Sequence, residues 1–262
     1  GGVLASTLLA GLFAVVCIEF RADQIIAGLA VWLIALGLAP FASTVIYGGP
    51  NTVSVQTIPT VPNMGIPVLS AALTADIPLL GLSLADLPFV GALFSASPLV
   101  YLMFLAVGLS WYVLNRTNFG RWVRASGENP EALDSAGVSV TRVRYTAVIL
   151  SGVLAGIGGA ALALGIGQFT GNGPTMVNGK GFIAIVAYLF GNYNPIGALL
   201  STMLFAGLDA VQLTLQALDV FQVPRPLVRT IPYVTVIIVL ALFGKTRLPA
   251  SAGEHYESGE DR

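Results

Sequence analysis

The sequence predicts an all-α fold, a polytopic transmembrane helical bundle. Three observations carry that prediction. Of the 262 residues, 55% are hydrophobic and only 10% are charged, against roughly 25% charged in an average soluble domain. Apolar runs long enough to cross a bilayer recur along the chain. Basic residues collect in one polar loop. The same figures exclude other classes. High hydrophobicity with little charge is the reverse of a disordered composition. A formal net charge of −1 provides no basic face, so no nucleic-acid partner is expected. The single cysteine, Cys17, excludes an intramolecular disulfide and a Cys-based zinc cluster. The single histidine, His255, lies in a polar tail. No metal, no cofactor and no catalytic residue is expected, and the chain does not read as an enzyme.

Crossing a hydrocarbon core of about 30 Å takes roughly 20 helical residues. The first run covers 1–19 and is uncharged over 3–18. It lacks a basic leader and another span follows almost at once, so it is not a signal peptide. The chain starts Gly1-Gly2 without methionine and is expected to be a piece of a protein that begins further upstream. A polar break at Arg21, Ala22 and Asp23 precedes the second run, 24–47. The connector 48–96 follows, rich in proline at Pro50, Pro59, Pro62, Pro67, Pro78 and Pro88. Its apolar stretches 66–73 and 77–84 are read as short interfacial helices or a lid, with a plain external loop as the alternative. The third run is 97–114 and the fourth 144–165. The fifth, 181–191, gives only about 16 Å of helix. It must borrow flanking residues, belong to a broken helix or re-enter the membrane. The sixth run is 195–216 and the seventh 229–243. The tail 250–262, with Glu254, Glu257, Glu260 and Asp261, is expected to be disordered and solvent-facing. All of 1–262 reads as one transmembrane domain.

Sidedness follows from lysine and arginine. The loop 115–143 and its border hold Arg116, Arg121, Arg124, Arg142 and Arg144, and are therefore cytoplasmic. The connector 48–96 has no basic residue and is external. Arg21 fits a tight cytoplasmic turn, so the first run goes from outside to inside and further helices are expected before Gly1. Around the seventh run, Arg225 and Arg229 balance Lys245 and Arg247, so charge alone does not place the C-terminus.

The cytoplasmic loop contains a complete short-helix signal. Asn129 is a good N-cap, Pro130 suits the first helical position, and Glu131 favours the positive helix end. Gly137 is a natural residue just past the end. A helix of about seven residues is not stable alone in water, so the membrane domain or a partner must hold it. Ala132, Leu133 and Ala136 offer a small apolar face for docking. An ordinary amphipathic linker helix is the alternative.

The run from Arg116 through Gly127, Glu128, Asn129, Pro130, Glu131 and Ala132 to Ala136 and Gly137 resembles the cytoplasmic loop of ABC-importer permeases of the ribose/simple-sugar and nucleoside type. The resemblance continues in the stretch beginning Arg144-Tyr145, in Gly179-Lys180-Gly181-Phe182, in Phe190-Gly191-Asn192-Tyr193-Asn194-Pro195, and in Phe20-Arg21-Ala22-Asp23-Gln24. It covers nearly the whole chain and is closest to the shorter permease of nucleoside importers. One departure is Leu133, where a second alanine is common. The resemblance implies that 127–137 forms the coupling helix seated in a groove of the ATPase. It implies a membrane-spanning permease subunit, multi-pass in the cytoplasmic membrane, in contact with membrane lipid. The partners implied are ABC ATP-binding subunits, a second and different permease subunit, and an extracellular substrate-binding lipoprotein. It also implies a cytoplasmic C-terminus and further helices upstream of Gly1. A branched-chain amino-acid ABC permease, a stand-alone secondary transporter or channel, and a membrane scaffold are the rival readings.

Two membrane runs carry further signals. In the fourth, Gly152, Gly156, Gly159 and Ala163 share one face, a small-residue seam for static or moving helix packing. In the sixth, Thr202, Gln216 and Gln212 lie within about 20°, 20° and 60° of Asp209 around the helix. A membrane acid is expected to face the bundle interior or water. The stripe is read as lining a translocation path, with an interhelical hydrogen-bond network as the alternative. Gly191-Asn192-Tyr193-Asn194-Pro195 is a turn by composition and places Asn192 and Asn194 as further path candidates. Phe182, Phe190 and Trp32 are packing residues or, less plausibly, a stacking surface. Trp111, Tyr112 and Trp122 read as interfacial anchors. No Walker-type Gly-x4-Gly-Lys-Ser/Thr occurs, so the chain does not itself hydrolyse ATP.

Overall fold

The computed structural model describes residues 1–52, 54, 57–59, 76–77, 82–83, 96–171, 176–177, 179–217, 234 and 249–256. The seventh run, 229–243, lies outside the described residues except at position 234. The helices are α1 Gly2–Ala14, continued by a π-helical turn Val15–Glu19, then α2 Gln24–Tyr47 and α3 Pro98–Arg116. They continue with α4 Asn118–Glu128, α5 Pro130–Ser135, α6 Val140–Ile166, α7 Lys180–Phe190 and α8 Pro195–Ala217. Among the described residues, four helices are long and apolar enough to cross a membrane: Gly2–Glu19, Gln24–Tyr47, Pro98–Arg116 and Val140–Ile166. They coincide with the first four runs read from the sequence, and the fold is a polytopic helical bundle.

The chain divides into two compact units, Gly1–Ala106 with Thr141–Met176, and Val107–Val140 with Val177–Arg262. In the first, α1 and α2 meet at a tight turn. Arg21 takes a left-handed φ of 54° there. Asp23 caps α2 by accepting from the N–H groups of Ile25 and Ile26 at 2.8 and 3.0 Å, which satisfies two of the four orphan donors of a helix start. Pro40 sits inside α2 and supplies no N–H. One turn on, Thr44 donates its hydroxyl to the Pro40 carbonyl at 2.9 Å. The helix closes on Gly48, left-handed at φ 76°.

In the same unit α1 packs on α6 through the predicted small-residue seam, but only through half of it. A Cβ on Gly152 would lie 2.3 Å from the Ala10 Cβ, and one on Gly156 would lie 2.7 Å from the Val3 Cα. Gly159 has nothing within 4 Å of that position, so the seam stops after two glycines. The two ends of the unit are pinned. At one end Tyr145 donates its hydroxyl to Glu19 at 3.1 Å. At the other, the Phe169 N–H donates to the Thr52 hydroxyl at 2.8 Å and the Gly171 N–H to the Asn51 side chain at 2.9 Å. The α1–α2 turn thus sits at the start of α6, and the beginning of the connector 48–96 sits at its end.

The second apolar stretch of that connector is not a helix where it is described. Asp76–Ile77 pairs antiparallel with Leu82–Ser83, Asp76 opposite Ser83. Pro78 directly after Ile77 disfavours helical geometry at Ile77 and favours extended backbone. The first stretch, 66–73, lies outside the described residues.

In the second unit, α7 and α8 form a hairpin so close that only glycine fits at its base. A Cβ on Gly191 would lie 2.3 Å from the Ala198 nitrogen, and one on Gly197 would lie 2.3 Å from the Gly191 carbonyl oxygen. The tail also departs from its expected disorder over 250–256. It turns at 250–253, with Gly253 left-handed at φ 84°. The Ser251 N–H donates to the Gly127 carbonyl at 2.9 Å. Residues 249–256 therefore lie against the end of α4. A partly apolar segment with a tyrosine has contacts to make that an acidic composition does not reveal.

Candidate functional site

The predicted loop helix is reached through an element the sequence reading did not anticipate. After α3 the chain turns at Thr117, whose hydroxyl accepts from the Gly120 N–H at 3.3 Å and donates to the Val113 carbonyl at 2.6 Å. Gly120 is required by sterics, because a Cβ there would lie 2.3 Å from the Leu114 carbonyl oxygen. Helix α4 then runs to Glu128. Its signal was Thr117 as N-cap, with the glycine three residues later at a tight corner. Three arginines of this loop are held locally. Arg124 donates to the Asn115 side-chain oxygen at 2.7 Å, Arg121 donates to the side chain of Asn118, and the Arg116 guanidinium lies 5.9 Å from the Trp111 ring, within cation–π range.

Asn129 serves two helices. Its N–H donates to the Ala125 carbonyl at 2.8 Å and ends α4. Its side-chain oxygen accepts from the Ala132 N–H at 2.9 Å and starts α5. Pro130 is the first residue of α5 and Glu131 lies in its first turn. The helix has six residues. It ends as predicted at Gly137, left-handed at φ 80°, where the Val138 N–H donates to the Leu133 carbonyl at 3.3 Å and the Gly137 N–H to the Asp134 carbonyl at 2.8 Å. This is a helix end in which glycine removes the Cβ penalty of the left-handed residue.

The expected apolar face is split. Leu133 is buried, with 5% of its surface exposed, while Ala132 and Ala136 are exposed. The correction follows from geometry: residues 132 and 133 are 100° apart on a helix and cannot share one narrow face. Leu133 anchors the helix in its own chain. Glu128, Asn129, Glu131, Ala132, Ser135, Ala136 and Gly137 form the outward surface, and Gly127 is half-buried. The departure at Leu133 therefore does not alter what a docking partner would meet.

The path candidates lie on the α7–α8 hairpin. Asn192 and Tyr193 are both left-handed, at φ 53° and 57°, a conformation that asparagine tolerates and a bulky residue rarely adopts. Asn194 accepts from the Ile196 N–H at 3.0 Å and opens α8. Tyr188 and Tyr193 form a tilted ring pair with centroids 5.5 Å apart. On α8, Ser201 and Phe205 are buried, Thr202 is exposed and Asp209 is half-exposed. Thr202 uses its hydroxyl on its own helix, donating to the Leu199 carbonyl at 2.8 Å. Gln212 and Gln216 fall on the last turns of α8, and their side chains lie outside the described residues. Thr202 and Asp209 thus lie side by side on α8, at the edge of the face that Ser201 and Phe205 bury. Among the described residues, no group of acidic, histidine or cysteine side chains could hold a metal ion.

Residues 1–240 match the family described as branched-chain amino acid transport system / permease component. The chain is 35% identical to the nucleoside ABC transporter permease NupC of Lactococcus lactis, over 97% of this chain and 75% of that one. It is 33% identical to the guanosine ABC transporter permease NupQ of Bacillus subtilis, over 98% of this chain and 76% of that one. It is 34% identical to the TsgC13 protein of Haloferax volcanii, provisionally named a glucose ABC transporter permease, over 92% of this chain and 72% of that one. No solved structure matches the chain.

Proposed function

The chain belongs to the family of branched-chain amino acid transport system permease components, and from that membership we propose that it carries nucleosides inward, driven by ATP hydrolysis in partner subunits. It is the permease subunit of an ABC importer and not an enzyme, a multi-pass protein of the cell membrane. A permease of this kind works with ATP-binding subunits and a substrate-binding component. The rival of a stand-alone secondary transporter falls away with the family. In our reading a second, non-identical permease completes the membrane unit, and an external lipoprotein delivers the substrate.

The observation that carries the coupling part of this reading is the geometry of α5. Asn129 caps it at one end, Gly137 closes it at the other, Leu133 anchors it, and a small-residue surface faces outward. A rigid helix seated in a groove transmits rigid-body motion, which a flexible loop would dissipate. Thr202 and Asp209, side by side on α8, support a polar lining that offers weak hydrogen bonds to a hydroxylated solute during alternating access. Asn192 and Asn194 at the hairpin turn extend that lining.

Nucleosides come first because two relatives, each covered by this chain over three quarters of its length, bear nucleoside and guanosine names. Simple sugars are the second reading, favoured by the Haloferax relative. The test is uptake into vesicles holding the permease with its ATP-binding and substrate-binding partners. Labelled guanosine accumulates only with hydrolysable ATP, and unlabelled glucose or leucine in excess does not compete. Accumulation of leucine or glucose in place of guanosine would overturn the nucleoside reading.

A further inference from the structure

The C-terminal segment 249–256 touches the loop at two places seven residues apart. The Ser251 N–H donates to the Gly127 carbonyl at 2.9 Å. That carbonyl belongs to the last turn of α4, where acceptors lack intrahelical partners. Pro249 lies against the same glycine, 3.4 Å from where a Gly127 Cβ would stand. Further along, Tyr256 donates its hydroxyl to the Asp134 carboxylate at 3.1 Å, across 122 residues of sequence. Between these points the segment is built as a turn, with the Ala252 N–H on the Pro249 carbonyl at 3.2 Å and the Glu254 N–H on the Ser251 carbonyl at 3.3 Å.

A helix of six residues does not hold its own shape or orientation. Its caps fix its ends, and Leu133 fixes one side. Asp134 is the next residue round, and the tail holds it there. We infer that residues 249–256 are a brace for the coupling helix, gripping the end of α4 at Gly127 and the last turn of α5 at Asp134, with Tyr256 as a positioning residue that acts through Asp134. The inference rests on the coupling role of α5 given above. The surface that an ATP-binding subunit meets is then composite. Force applied to α5 passes into residues 249–256 as well as into α4, and this segment sets how much ATPase motion reaches the membrane helices.

The test uses the complete importer in vesicles and reads substrate transported per ATP hydrolysed. Tyr256→Phe deletes only the donating hydroxyl and lowers this ratio about two- to tenfold, the range of one net hydrogen bond. Asp134→Ala lowers it equally, and the double variant is no worse than either single one, as expected for two ends of one interaction. Asp134→Asn keeps an acceptor oxygen and keeps the ratio. Unchanged coupling in Tyr256→Phe, or additive losses in the double variant, would overturn the brace. Contact is tested separately with Gly127→Cys and Pro249→Cys in a Cys17→Ser background, where Cβ atoms about 3.5–4.5 Å apart allow a disulfide. Oxidised membranes yield the crosslinked chain and it still transports, whereas loss of transport on crosslinking means the segment must leave and the brace is wrong. Glu131→Lys with Ala132→Trp distinguishes the two levels of the account. If that pair leaves uptake intact, the coupling role itself fails. If it abolishes uptake while Tyr256→Phe changes nothing, only the brace fails.

Discussion

Ser6 donates its hydroxyl to the carbonyl of Gly152 at 2.8 Å, joining two membrane helices across 146 residues of sequence. The bond forms because Gly152 has no side chain. The backbone of α6 comes close enough to α1 for a short serine to reach a carbonyl already engaged in its helix. Small residues permitting close approach, with a hydroxyl bonding across, are a common way to join helices in lipid, where apolar contact alone gives no preference.

The seam makes a graded prediction for stability. Gly152→Ala and Gly156→Ala place a methyl at 2.3 Å from the Ala10 Cβ and 2.7 Å from the Val3 Cα, and overpacking of this kind costs about 1–3 kcal/mol. Gly159→Ala meets nothing within 4 Å and leaves stability unchanged or slightly raised. Thermal unfolding of the purified permease in detergent ranks the three, and equal loss in all of them would contradict the packing described.

Asn129→Ala removes the cap of α5 and weakens that helix by about 0.5–2 kcal/mol. Uptake falls while binding of the loaded receptor protein to the permease is retained. Asn129→Asp keeps an accepting oxygen and most of the uptake. The two activities measured on the same membranes check this, and parallel loss of both would point to misfolding of the loop.

Much of this architecture was legible because its causes are local. Span lengths follow from uncharged runs, and the bounds of α5 follow from Asn129, Pro130 and Gly137, residues whose backbone preferences act within one helical turn. What was not legible depends on partners distant in sequence. The split of the α5 face needed the burial of Leu133. The limit of the α6 seam needed the position of α1, since Gly156 and Gly159 look alike in sequence. The tail contact needed Asp134 and Gly127 placed beside Tyr256 and Ser251. Helix α4 was missed for another reason. Its arginines read as a charge run, while Thr117 and Gly120, which fix its start, are inconspicuous in isolation.

The contacts of Asn51 and Thr52 with Gly171 and Phe169 predict a second stability effect. Thr52→Val removes the acceptor for the Phe169 N–H, and Gly171→Ala pushes a methyl to 2.5 Å from the Pro50 carbonyl oxygen. Each destabilises the purified protein by about 1–3 kcal/mol. Thr170→Ala at the neighbouring position is the control. Unfolding midpoints in detergent give the comparison.

The proposed path lining on α8 predicts a change in accessibility. In a Cys17→Ser background, Thr202→Cys and Asp209→Cys react with a membrane-impermeant maleimide at rates that differ between nucleotide-free and ATP-trapped importer. Ser201→Cys, at a buried position, stays unreactive in both. Rates at 202 and 209 that ignore nucleotide state would remove α8 from the path.

The central claim is that ATP-driven motion enters this permease through α5. It is tested most directly by ATP-dependent guanosine uptake in vesicles carrying the Glu131→Lys, Ala132→Trp permease, with its assembly and receptor binding verified. The expected result is that uptake is lost while assembly of the importer and binding of the substrate-binding component persist. Uptake at the unaltered rate would contradict it.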